Sequence, residues 1–159
     1  MVDDRQFSGY TPFMRVVIQR VSECSVSVDN QVISTIGPGL LVLLGLRQGD
    51  ERSSIDWLAE KIANLRIFED ENEKMNLSLL DVKGEVLLVS QFTLYGDARK
   101  GRRPEFTQAM NPADAKDYYE SFAAALAKFD LPVKTGQFGA KMDVKLTNHG
   151  PVTIIIDHP

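Results

Sequence analysis

The run GPGLLVLLGL, Gly37 to Leu46, decides how the rest of the chain is read. From Leu40 onward it is apolar at successive positions, so as a strand it is apolar on both faces. Such a strand must be covered on both sides, as the central strand of a sheet. The Gly37-Pro38-Gly39 triplet breaks the chain just before it. Upstream lie RVVIQRV (Arg15–Val21) and SVSV (Ser25–Val28), both rich in β-branched residues and read as strands. Asp29-Asn30 then turns the chain into QVISTI (Gln31–Ile36), giving a hairpin.

Downstream the period changes. Ile55, Leu58, Ala59, Ile62 and Leu65 form one helical stripe, with Ser53 as the expected N-cap and Asp56 near the positive end of the helix dipole. An acidic loop follows in RIFEDENEK. EVLLVSQFTLY (Glu85–Tyr95) reads as one long β-rich run, and DARKGRRPEF after it as a loop. A second helix is predicted in Asn111–Phe129: Asn111 caps it, Pro112 suits its first position, and Tyr118, Phe122, Ala125, Leu126 and Phe129 form its apolar stripe. LPVKTG, the alternating KMDVKLTN (Met142, Val144, Leu146) and VTIII complete the strands, with Gly150-Pro151 opening the last. Strands in blocks with two helices predict an α+β fold: a single compact domain with a curved, mainly antiparallel sheet or barrel.

Composition narrows the function. The chain has 159 residues, 43% of them hydrophobic and 25% charged, the profile of one ordinary globular domain. Residues 1–13 are polar and mixed and read as an N-terminal extension to a domain spanning 14–159. No stretch approaches the roughly 20 apolar residues that span a bilayer, and a cytoplasmic location is expected. The net charge of −4 gives no global field for nucleic acid, so any contact needs a local patch. The single cysteine, Cys24, excludes an internal disulfide and reads as a buried small side chain. With two histidines besides, the chain is too poor in ligands for a typical zinc site, and neither metal nor cofactor is expected.

Standard hydrolase and phosphate-loop signatures are missing. His158 is penultimate and expected to fray, and His149 flanks Gly150. Two stretches remain. If Ser90–Tyr95 continues as a strand, Gln91, Thr93 and Tyr95 share one face. That polar row either lines a pocket or forms the solvated face of an edge strand. The second stretch, RKGRRP, gathers Arg99, Lys100, Arg102 and Arg103, which is either a phosphate-binding patch or a solvated loop.

SQFTLYGDARKGRRP together with NHGPVT resembles the D-aminoacyl-tRNA deacylases. The likeness extends in order through MRVVIQRV, IGPGLLVLLG, DWLAEKIANLRIFED, KMNLSLLDV and KTGQFGAKM, covering Met14 to Asp157. It implies a homodimeric, barrel-like fold acting on the 3′-terminal aminoacyl-adenosine of tRNA, with the site at the dimer interface. It implies that Ser90, Gln91, Phe92 and Thr93 line the catalytic site. Gly150 and Pro151 would form a Gly-cisPro motif reaching into the partner's site, supported by Arg20, and Met142 is placed with the substrate-binding residues. The basic loop would meet tRNA phosphates. His149 departs from the family, which often has an acidic residue there. The similar deacylases that accept L-alanine carry a different strand motif, so SQFT argues for the D-specific branch.

The chemistry suits these residues. An aminoacyl ester is already activated, so its hydrolysis needs a positioned attacker and donors for the developing oxyanion. No histidine or lysine is visibly paired with Thr93 as an activator. Water attack assisted by the 2′-hydroxyl of the terminal adenosine therefore fits better than a threonine nucleophile. An enzyme that accepts many D side chains must read the configuration at Cα. A stiff proline beside a glycine without Cβ can do this, and it would leave glycyl-tRNA unprotected. The rival readings are an L-alanine-specific deacylase and a non-catalytic nucleic-acid-binding module.

Overall fold

The computed structural model describes residues 13–159; residues 1–12, nearly all of the expected extension, lie outside the described residues. The longest ladder joins β1 (Met14–Val28) to β8 (Asp143–His158), antiparallel along almost its whole length. The other edge of β1 pairs first with β3 (Gly39–Gly45) and then with β2 (Gln31–Ile36), both antiparallel. The β1–β2 turn is made by Asp29 and Asn30, at φ 51° and 62°, the left-handed pair that a two-residue hairpin needs.

Beyond β3 the sheet continues with β6 (Glu85–Ser90) and β7 (Val133–Thr135), and both of these pairings are parallel. The sheet is therefore mixed, with its longest ladders antiparallel. Parallel neighbours require crossovers, and the helices supply them. Between β3 and β6 run α1 (Ser53–Asn64), the small hairpin β4 (Phe68–Glu69) and β5 (Met75–Leu77), and α2 (Leu79–Val82); between β6 and β7 runs α3 (Pro112–Ala127). Lys134 Nζ donates to the Thr35 carbonyl at 2.6 Å, and Ser34 Oγ to that of Thr135. The sheet thus curls until β2 meets β7, a nearly closed barrel.

The opening run behaves as its composition requires. Leu40, Val42 and Leu44 pack among Ile55, Leu58, Ile62, Phe122 and Leu126 of the helices. Leu41 joins Val21, Cys24, Val26, Leu87 and Val89 on the other face, inside the barrel. Strand β3 is covered on both sides.

Three expectations need correction. Among the described residues there are three α-helices rather than two. The single turn of α2 is too short to show a helical period, but its capping box marks it: Ser78 and Asp81 each accept the other's backbone amide. Ser53 is the first residue of α1, not its cap; Arg52 stands at the N-cap and makes no side-chain capping bond. His158 does not fray. It ends β8 stacked on Trp57, ring centroids 4.1 Å apart, with Nδ1 3.1 Å from Ser54 Oγ. The α3 start is as read, with Asn111 Oδ1 accepting the Asp114 amide at 3.0 Å. Among the described residues no helix is long and apolar enough to cross a membrane.

Candidate active site

Strand β6 ends at Ser90, and the chain does not continue extended. The Gln91 amide makes one more bond, to the Leu44 carbonyl at 2.8 Å, and Phe92–Tyr95 then wind into a 3-10 turn. The expected row of Gln91, Thr93 and Tyr95 on one strand face is therefore corrected: at three residues per turn, successive side chains fan out instead of alternating. The turn is fixed from beneath. Tyr95 is buried, and its hydroxyl is bonded to the carbonyls of Gly45 (3.0 Å) and Phe13 (2.8 Å). A Cβ on Gly45 would lie 3.0 Å from the Tyr95 ring and 3.2 Å from Leu94 Cβ, so glycine lets the turn close onto β3.

This fan gives each residue a different outlook. Phe92 is exposed and meets the edge of Phe106, ring centroids 5.3 Å apart. Thr93 is exposed, and its Oγ1 accepts the Gln91 side-chain amide. Ser90, Phe92 and Met142 come together in a cleft of about 560 Å³, whose apolar walls include Phe106, Met110 and Phe138.

Gly150 and Pro151 lie elsewhere. On β8, Thr153 pairs with Gln19 and Asn148 with Val21. Residues 149–152 therefore stand opposite Arg20 alone and leave the ladder as a bulge. The Gly150–Pro151 peptide is cis, Gly150 is at φ 128°, and both residues are exposed. The base of the bulge is tied on both sides. Asn148 Oδ1 accepts the Val152 amide at 3.1 Å, and its Nδ2 donates to Thr153 Oγ1 at 3.0 Å. Arg20, only 4% exposed, donates from Nε to the His149 carbonyl (3.0 Å) and from Nη1 to that of Ile67 (2.8 Å); its Nη2 lies 3.6 Å from Glu69. Asn148 was missed in the sequence. Its signal was an Asx-type residue two positions before a Gly-Pro turn.

The two groups occupy different parts of the sheet. Arg20 pairs with Leu40, and Leu40 with Val86, four residues before Ser90 on β6. Counted along the sheet, the β8 bulge and Ser90 are three strands and four residues apart, and neither Gly150 nor Pro151 lines the Ser90 cleft.

The basic loop is closed by reciprocal backbone bonds between Asp97 and Glu105, at 2.7 and 2.9 Å. Arg99 folds back onto Asp97, at 2.9 and 2.7 Å, and these bonds hold the Asp97 carboxyl down at about 2. Lys100, Arg102 and Arg103 are exposed.

The profile of the D-Tyr-tRNA(Tyr) deacylase family matches residues 17–157. The chain belongs to that family. It is 58% identical over 144 residues to the D-aminoacyl-tRNA deacylase of Thermomicrobium roseum, covering 91% of this chain and 94% of that one. Against the D-aminoacyl-tRNA deacylase of Bacillus licheniformis the identity is again 58%, over 91% and 98% of the two chains. Among solved structures, the c-Myc DNA unwinding element binding protein superposes with a TM-score of 0.85 at 43% identity, over 91% of this chain and 99% of that one. A probable eukaryotic D-amino acid tRNA deacylase shares the deacylase fold at a TM-score of 0.78 and 19% identity, over 92% and 100%.

Proposed function

We propose that this deacylase removes D-amino acids from tRNA by reading the configuration at Cα with the Gly150–Pro151 bulge of a partner subunit. Family membership supplies the reaction class, hydrolysis of the aminoacyl ester. The observation that carries the finer reading is that Gly150 and Pro151 are exposed at their tip yet anchored behind by Asn148 and the buried Arg20. Each tenfold of D-over-L discrimination requires about 1.4 kcal/mol, and a probe that yields under contact cannot provide it.

The separation of bulge and cleft, with neither Gly150 nor Pro151 in the cleft's lining, supports a homodimer. A single chain does not bring its own Gly150 to its own Ser90, whereas a two-fold axis can bring each bulge to the partner's cleft. The cleft suits the adenosine end: Phe92 offers an exposed ring, and Met142 and Phe138 offer apolar walls.

Thr93 has the wrong neighbour for a nucleophile. Gln91 presents an amide donor to its oxygen, which cannot take a proton from it. This favours attack by water, assisted by the terminal 2′-hydroxyl. The Gln91 amide is committed to Leu44, so the amides of Phe92 and Thr93, at the open start of the 3-10 turn, remain to stabilise the oxyanion. Glycine carries no side chain to be rejected, so glycyl-tRNA should be cleaved as well.

The decisive experiment measures deacylation of matched D- and L-tyrosyl-tRNA. We expect rapid loss of the D ester and persistence of the L ester, with the D reaction abolished when the terminal ribose is 2′-deoxy. Equal cleavage of both esters would remove the chirality reading, and undiminished cleavage of the deoxy substrate would remove the 2′-hydroxyl. Cleavage of L-alanyl-tRNA with D-tyrosyl-tRNA spared would place the chain with the L-alanine-specific relatives.

A further inference from the structure

A second cleft, of about 520 Å³, lies across a thin wall from the first. The wall is the segment Leu46–Gln48 held against residues 107–110. Gln48 donates its amide to the Gln108 carbonyl and Met110 to that of Leu46, both at 3.0 Å, and Arg47 bridges Ala109. Leu46, Gln48, Thr107, Ala109 and Met110 line the Ser90 cleft, while Arg47 and Gln108 line the second. The 3-10 turn divides in the same way, with Phe92 on the first side and Leu94 and Tyr95 on the second.

The second cleft gathers Arg15, Arg47 and Arg99. Arg15 and Arg47 lie over the ring of Phe13, 5.3 and 5.8 Å from its centroid. Arg15 is forked onto Asp157, at 2.7 and 3.1 Å, as Arg99 is onto Asp97. Lys100, Arg102 and Arg103 follow Arg99 in the exposed loop. Three arginines line the cleft against one lining carboxylate, Asp97, and Asp157 bonded to Arg15, so cations outnumber carboxylates here although the whole chain is acidic.

We propose that this cleft binds backbone phosphates of the acceptor end of the tRNA whose terminal aminoacyl-adenosine occupies the neighbouring cleft. The inference rests on the function proposed above and extends it to the substrate's RNA. A guanidinium carries five donors in a fixed fork, so an arginine anchored by a carboxylate or a ring can engage a phosphate as well. Anchoring also lowers the ordering cost of binding. The wall is one pair of backbone segments thick, so an RNA strand leaving the first cleft reaches Arg47 within a few nucleotides. Phosphate contacts position an RNA without reading its sequence, which suits an enzyme that must serve many tRNAs.

The test uses Arg47→Glu, with Arg47→Lys as the variant that keeps the charge and Arg99→Glu as a second reversal at an exposed position. Two quantities are measured: affinity for uncharged tRNA across a salt series, and kcat/KM for D-tyrosyl-tRNA relative to that for 3′-D-tyrosyl-adenosine. For both reversals we expect tRNA affinity to fall tenfold or more, the salt slope to drop by about one, and the tRNA-to-adenosine ratio to fall at least tenfold; Arg47→Lys, which keeps the charge but not the fork, should lose clearly less than Arg47→Glu. Unchanged affinity and slope would overturn the proposal. So would an equal loss on both substrates, which would mean that the substitution acts through the shared wall. Should wild type fail to cleave D-tyrosyl-tRNA at all, the proposed function falls, and the binding series still decides the phosphate site.

Discussion

Asp50 shows how one residue can make the fold sensitive to pH. It is 6% exposed; its Oδ2 accepts the Arg47 amide at 2.6 Å, while Oδ1 has no partner among the described residues. Burial pushes the carboxyl up to about 6, against the opposing effects of the Arg47 amide and charge. The folded value lies above the unfolded one, so the protein gains from the neutral form. That gain is complete below pH 4 and is lost as pH rises through about 6. Asp50→Asn keeps the shape and an acceptor for the Arg47 amide without the charge. We expect it to raise stability by on the order of 1–3 kcal/mol at pH 8, with the difference closing towards pH 4, as read from denaturant midpoints across pH. A variant less stable than wild type at pH 8, with no convergence at low pH, would contradict this. Cys24, as its sequence context suggested, is buried, and burial pushes its thiol up to about 11. It therefore stays protonated at neutral pH. At this scale the sequence identified buried positions well but not the surroundings of Thr93, because the Gln91 amide reaches it only once the chain turns.

Among the elements, the clearest readings came where a pattern had to satisfy two partners at once, as in the doubly covered Leu40–Leu46 and the Asn111 cap. The 3-10 turn at Phe92–Tyr95 was illegible for the opposite reason. Its residues are good strand formers, and what bends them is remote: the space left by Gly45 and the Tyr95 hydroxyl bonded to that residue's carbonyl. The β8 bulge was half legible. Gly150-Pro151 marked the place and the strands on both sides were read, but that both pair with the one strand β1 did not show in the sequence. The bulge depends on Arg20 as its inner strut. Arg20→Ala leaves the His149 and Ile67 carbonyls without their donor, and we expect a loss of about 2–4 kcal/mol in stability. D-over-L discrimination should fall at least tenfold, with less damage from Arg20→Lys, which keeps the charge but not the fork. Discrimination that survives in a folded Arg20→Ala protein would show that the bulge is rigid without it.

On the scale of the whole molecule, the separation of cleft and bulge invites a complementation test. A Phe92→Ala chain lacks a sound cleft, and a Gly150→Val chain lacks a sound bulge, since a Cβ there would lie 2.9 Å from both Arg20 Nη2 and Val152 Cγ2. If the bulge works in the partner's cleft, each mixed dimer keeps one complete site, and equal mixing should recover roughly a quarter of wild-type activity for random two-fold assembly. Demonstrated subunit exchange with no recovery would place both parts of the site in one chain. The separation was not visible in the sequence. It follows from the order β8, β1, β3, β6, which the parallel β3–β6 pairing creates.

The strand after the bulge has a fixed parity. Val152, Ile154 and Ile156 pack on the helix-side core, while Thr153, Ile155 and Asp157 are exposed. A one-residue slip of this strand against β1 would exchange these two sets and turn three aliphatic side chains to water. The residues opposite Arg20 stand off the ladder, so a change of length among them can be absorbed without such a slip. The last strand therefore tolerates insertions and deletions at its bulge and nowhere along residues 153–157.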